Sequence, residues 1–165
     1  MKGEGLQMMM PEKAFLRERV VARYRDGRLV KGYTFDFEPG RRQFHIFANR
    51  DASDEPTPVR VEDLKAVFCV GDFAGNPAYR ERKQFVDGRP TPPGRQVQVT
   101  FHDGEVLVGS SPDYRPCSPG FFLVPADPHS NNLKIFVCSA AVRHVKDVTR
   151  GGPGARALKA VPSLA

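Results

Sequence analysis

The chain carries one pattern of turn and core residues twice. Laid over residues 97–146 at a shift of about 77 positions, residues 20–68 put Val20 on Val97, Tyr24 on Phe101, Asp26-Gly27 on Asp103-Gly104 and Gly32 on Gly109. Asp36-Phe37 then falls on Asp113-Tyr114, Pro39 on Pro116, Phe44 on Phe121 and Ile46 on Leu123. After a slip of one residue, Leu64 and Val67 fall on Val142 and Val145. An internal repeat restricts architecture more than any single motif. Each unit of about 50–55 residues is near the lower limit for an independent core. The two units are therefore expected to pack on each other or on a partner.

Within each unit the apolar period is two. Val20, Ala22 and Tyr24 alternate with Arg19, Val21 and Arg23, which reads as a half-buried strand. Asp26-Gly27 is a hairpin signal. The return strand starts at Leu29-Val30 and contains Gly32, where a bend is expected. Pro39-Gly40 marks the next turn, Phe44 and Ile46 a third strand, Val59–Val61 a fourth and Lys65–Val70 a fifth. Val97–Phe101, Val106–Gly109, Phe121–Val124, Ile135–Val137 and Val142–Val148 follow in the same order. Pro11 and Glu12 suit the first turn of a short helix over residues 10–19.

Five short strands in so few residues, with a glycine in the second, predict an all-β protein: two tandem five-stranded barrels, a short N-terminal helix and a flexible C-terminal tail. The expected boundaries are 1–16 for the N-terminal extension, 17–70 and 96–148 for the barrels, 71–95 for a Gly/Pro- and charge-rich linker, and 149–165 for a disordered tail. The stretches Asp26-Gly27…Gly32…Asp36…Phe44-x-Ile46 and Asp103-Gly104…Gly109…Asp113…Phe121-x-Leu123 resemble the first half of the SH3-like/Sm-like barrels. There a bent second strand is followed by an aspartate and the third strand. The resemblance covers both units. It implies the fold, and RNA binding as one role, although the Asn and Arg-Gly elements of the Sm RNA site have no counterpart here. The second unit, with GFFLVPADPHSNNLKIFV, also resembles uncharacterised bacterial domains that accompany cyclic-dinucleotide signalling modules.

Charge and cysteine content narrow the function classes. The formal net charge is +6, but most of the excess lies outside the core-forming segments. The linker 71–95 carries five basic and three acidic residues, and residues 149–165 carry Arg150, Arg156 and Lys159 with no acid. A nucleic-acid-binding barrel would be expected to carry a basic stripe on itself. No apolar run approaches the roughly 18–20 residues of a membrane span. The N-terminal stretch lacks the apolar run of a secretory signal. Cys69, Cys117 and Cys138 show no C-x-x-C spacing, which predicts reduced thiols and a cytoplasmic protein.

No sequence pattern assembles a catalytic site. His45, His102, His129 and His144 have no metal-ligand spacing, so neither a metal nor a cofactor is expected. Cys117 has no base placed beside it by sequence. Three binding patterns remain. Arg80, Arg82 and Lys83, with Tyr79 and Phe85 near, could hold a single nucleic-acid strand by phosphate contact and stacking. The polar loop Ser130-Asn131-Asn132 could contact a ligand or partner, although such residues ordinarily cap local backbone. Arg19-Val-Val-Ala-Arg23 and Asp51-Ala-Ser53 resemble the two elements of the PilZ cyclic-dinucleotide motif, with Pro56 where that motif has glycine. The reading that follows is a non-enzymatic cytoplasmic binding or adaptor module. Its expected partner is another protein or a second copy of itself, with RNA binding and a degenerate PilZ-like receptor as alternatives.

Overall fold

The computed structural model describes residues 17–149, which form ten strands and no α-helix. They are β1 (Arg19–Tyr24), β2 (Leu29–Thr34), β3 (Gln43–Phe47), β4 (Thr57–Arg60), β5 (Leu64–Val70), β6 (Arg95–Phe101), β7 (Val106–Ser111), β8 (Gly120–Pro125), β9 (Asn132–Cys138) and β10 (Val142–Asp147). The protein is all-β, as expected. The expected pair of closed barrels is not what the hydrogen bonding shows. The strands form one open antiparallel sheet in the order β10-β6-β7-β8-β9-β5-β1-β2-β3-β4. Most of the helix expected over residues 10–19, and nearly all of the tail over 149–165, lie outside the described residues; Arg19 already opens β1.

Both halves of the sheet run fifth, first, second, third, fourth, and the same local contacts recur about 77 positions apart. Tyr24 N–H donates to Arg28 O at 2.8 Å, and Phe101 N–H to Glu105 O at 2.9 Å. In each hairpin the aspartate side chain accepts the N–H two residues on, at 3.0 Å from Arg28 and 2.9 Å from Glu105. Only the glycines, Gly27 (φ 95°) and Gly104 (φ 90°), have positive φ there. The turns are therefore three-residue loops closed by a left-handed glycine, not the two-residue turn that the Asp-Gly pair suggests.

Gly32 and Gly109 also match, atom for atom. A Cβ on Gly32 would stand 2.1 Å from Phe47 O, and one on Gly109 2.2 Å from Val124 O. The second and third strands of each half therefore cross too closely for any side chain. The aspartates that follow have a structural task. Asp36 Oδ1 accepts His45 N–H, and Asp113 Oδ1 accepts Phe122 N–H, both at 2.9 Å. Each tethers the loop after the second strand to the third strand.

The two halves share their cores through the central strands. β5 is buried along its whole length. Leu64, Val67 and Cys69 pack with Val20, Phe44, Ile46 and Val59, while Ala66, Phe68 and Val70 pack with Val97, Phe121 and Ile135. β9 does the same: Ile135 and Val137 belong to the second core, Phe136 and Cys138 to the first. The antiparallel β5–β9 ladder, with Ala66 opposite Val137 and Phe68 opposite Ile135, joins the halves. A charged cluster stands beside it. The Lys65 side chain is 4 % exposed, with Nζ 2.6 Å from Asp103 Oδ2, in contact with Glu105, and 4.7 Å from the centre of the Phe101 ring. Arg23 reaches the same Glu105 at 3.1 Å. The Lys65 ammonium holds Asp103 below its ordinary carboxylate value.

Three stability measurements follow. Gly109→Ala should lower the unfolding free energy in urea by about 1–3 kcal/mol, since the added methyl meets a backbone carbonyl that can yield only by moving a strand. Gly104→Ala has open space around it and a positive φ, so its cost is backbone strain alone, on the order of 1 kcal/mol. Lys65→Ala should cost about 1–2 kcal/mol. That is less than the ~3–5 kcal/mol for breaking a fully buried pair, because water still reaches both carboxylates.

Candidate functional site

The 24 residues between β5 and β6 have no regular structure, yet they are tied down along much of their length. Asp72 N–H donates to Asn131 Oδ1 at 3.0 Å, and Asn131 Nδ2 donates back to Asp72 O at 2.8 Å. Arg19 and Lys31 of the first half donate to Gly71 O at 3.2 Å and Phe73 O at 3.1 Å. The Phe73 ring meets Tyr33 edge-on at 5.5 Å. Farther along, Tyr79 Oη and Arg82 N–H both donate to Asp127 Oδ2, the latter at 2.8 Å, and Ser130 Oγ donates to Glu81. The segment is a strap that starts on the first half and is clamped onto the β8–β9 loop of the second.

Asp127 is the centre of that clamp. It is 3 % exposed, and its other oxygen accepts His129 N–H at 2.9 Å. Burial by itself would raise its carboxyl. The Arg82 N–H, the Tyr79 hydroxyl and the His129 N–H outweigh that, and the group sits below its ordinary value of 3.8. Tyr79 is raised in turn, chiefly by the bond it donates to Asp127.

Two grooves flank the strap. One, of about 220 Å³, lies between the strap and the β8–β9 loop; Phe85, Val86, Pro90, Pro92, Pro125 and Leu133 supply an apolar lining. Leu133 is 53 % exposed at its edge. The other, of about 280 Å³, is bounded by Val21, Arg23, Phe68, Phe73, Lys83 and Glu105 and is mixed in polarity.

Two of the residue groups singled out by sequence thus come together. Arg80, Arg82 and Lys83 lie on the strap, and Ser130, Asn131 and Asn132 lie in or beside the loop that clamps it. Much of their hydrogen bonding is internal: Lys83 pairs with Glu81 at 2.8 Å, and Ser130 Oγ accepts Asn132 N–H at 3.0 Å. Arg80 and Arg82 are both exposed, although the Arg82 backbone N–H is held by Asp127. The third group is not assembled. Arg19 is on the strap carbonyl and Arg23 on Glu105, whereas Asp51 accepts Ser53 N–H at 3.0 Å inside the β3–β4 loop. Asp127 and Glu81, which do most of the fastening, carried no sequence signal beyond their place in polar loops.

Thiol chemistry is confined to one position. Burial pushes the Cys69 thiol up to about 11 and the Cys138 thiol up to about 12, while Cys117 is exposed. Among the described residues no group of three or more His, Cys, Asp or Glu is placed to hold a metal ion. No helix among them is long and apolar enough to cross a membrane.

Residues 16–149 match the model of a family of unknown function, DUF6982. Comparison with curated proteins and with solved structures finds no match.

The clamp predicts a pH response whose sign follows from Asp127. A carboxyl held below its unfolded value contributes stability above that value and loses it as pH falls through the folded one. Limited proteolysis within residues 71–94 should therefore accelerate below about pH 4, the ordinary aspartate value. Asp127→Ala should show the faster cleavage already at pH 7, with the sheet still protected.

Proposed function

Given that the chain belongs to the DUF6982 family, we propose that it is a non-enzymatic binding or adaptor module made of two duplicated small β-barrels of the SH3-like or Sm-like type, and that its partner is another protein. The duplication is supported by the common strand order of the halves and by the matching hairpin, glycine and aspartate contacts. The barrel type is supported by that order and by the single 3-10 turns, Val61–Asp63 and Ser139–Ala141, that lead from fourth to fifth strand in each half. In this reading each barrel is left open, and β5 and β9 fuse the pair.

The observation that carries the binding role is the apolar groove under the strap, with Leu133 exposed at its rim. A short, proline- and phenylalanine-lined groove suits an apolar anchor side chain from a partner protein. The strap cations face a different fate: Lys83 is neutralised by Glu81, which lowers the local charge available to a phosphate backbone.

Pull-down mass spectrometry from the native host, with and without nuclease, tests the reading. The expected result is a set of proteins that survives nuclease, is lost with Leu133→Asp and is retained with Arg80→Glu/Arg82→Glu. Partners that disappear with nuclease and with the arginine pair, but not with Leu133→Asp, would replace this function with RNA binding.

A further inference from the structure

The open sheet ends at β4 on one side and β10 on the other, and the two ends differ in a way that the internal junction explains. At that junction β9 pairs with β5, Phe136 opposite Val67 and Lys134 opposite Cys69. Ser139 N–H donates to Pro119 O beside β8, so by strand alternation the N–H groups of Phe136 and Lys134 face β5. The counterparts of these residues in the first half, 78 positions earlier, are Pro58 and Pro56. Val61 N–H donates to Arg42 O, beside β3, at 2.9 Å, so the outward donor positions of the β4 edge are 56, 58 and 60. Two of those three are prolines and have no N–H to offer. The edge equivalent to the one that builds the junction is therefore closed to strand pairing.

The β10 edge has no such block. Val148 N–H donates to Gln96 O at 2.8 Å, so the outward groups are those of Val145 and Asp147. Their counterparts in β5, Val67 and Cys69, are the positions that receive β9. Three of the side chains along this edge are basic: Arg143 and Lys146 are exposed, His144 is half-buried, and neither Arg143 nor Lys146 has an ion-pair partner among the described residues. The one acid, Asp147, is half-buried at the strand end, and its carboxylate accepts Thr149 N–H at 2.8 Å.

We infer that β10 is a strand-addition site for an extended peptide of a partner protein that carries carboxylates at alternate positions, opposite His144 and Lys146. Backbone bonds at Val145 and Asp147 hold the peptide, and charge selects it. Other occupants fit worse. Residues 150–165 of the chain itself carry Arg150, Arg156 and Lys159 and no acid. A second copy offers either β4, stripped of donors by its prolines, or β10, with the same positive charges. The site is separate from the strap groove and does not depend on it.

The probe is a fluorescein-labelled peptide with the sequence of residues 130–137 in which Ile135→Glu and Val137→Glu place carboxylates opposite Lys146 and His144 in the junction register. Fluorescence polarisation with the full chain should show saturable binding. The same peptide with lysine at those two positions should bind at least about tenfold more weakly. Asp147→Pro, which removes one outward donor, should abolish binding. Arg143→Glu/Lys146→Glu, at exposed positions that leave the core untouched, should reverse the preference between the two peptides. Absence of binding by the glutamate peptide, equal binding of both peptides, or an unchanged preference in the charge-reversed protein would overturn the proposal. So would a dimer of the unmodified chain that Asp147→Pro dissolves, because that would make a second copy the occupant.

Discussion

β5 along its whole length, and β9 from Ile135 to Cys138, have no solvent face, and these two strands hold this molecule together. β5 and β9 present one row of side chains to each of two cores, so neither core is complete without the strand contributed by the other half. Burial of apolar area is the main favourable term in folding. Here the largest shared piece of it lies on the seam between the halves. A unit of about 55 residues is at the margin of independent stability, and sharing two strands raises the buried fraction of both at once. The continuous ten-stranded sheet is the geometric result.

The seam also explains where charge is tolerated inside. Lys65 occupies the irregular position between Leu64 and Ala66, where the β1–β5 ladder shifts register. A nearly buried ammonium is costly unless paired. The Asp103-Gly104 hairpin of the second half supplies Asp103 and Glu105, and Phe101 supplies a ring face. The same hairpin in the first half carries Asp26 and Arg28, which pair with each other on the surface at 2.7 Å. The two halves keep one backbone and assign it different electrostatic work. The strap repeats this logic: Asp127, buried in a loop, gathers three donors and converts a Pro- and Gly-rich segment into a wall for two grooves.

Several of these features are legible in the sequence, for local reasons. Gly32 and Gly109 interrupt strands at matching places, and a strand glycine signals a close backbone approach; the carbonyls of Phe47 and Val124 are what approach. Asp26-Gly27 and Asp103-Gly104 announce the hairpins, though the loop has three residues because only the glycine turns left-handed. The period of two places most strands. Phe35 and Phe37 alternate as a strand would, but they fall in the loop after β2, where Phe37 turns into the core against Phe44 and Phe136. The strap reads in sequence as a solvated linker because a polar, proline-rich run has no period to show, and its fasteners are single carboxylates and amides far away along the chain.

By itself the sequence determined the all-β class, the count of ten short strands, the hairpins and the correspondence of positions 77 apart. Each of these depends on neighbours within a few residues, and alternation and turn chemistry are properties of such neighbours. Which edges meet was decided only in three dimensions. The runs LKAVFCV and NLKIFVC reveal strands rich in apolar residues, yet a ladder partner is chosen by backbone groups that every residue shares. The exception is proline: Pro58 and Pro56 write into the sequence which edge cannot be extended, and the fold alone tells the reader that they stand on one.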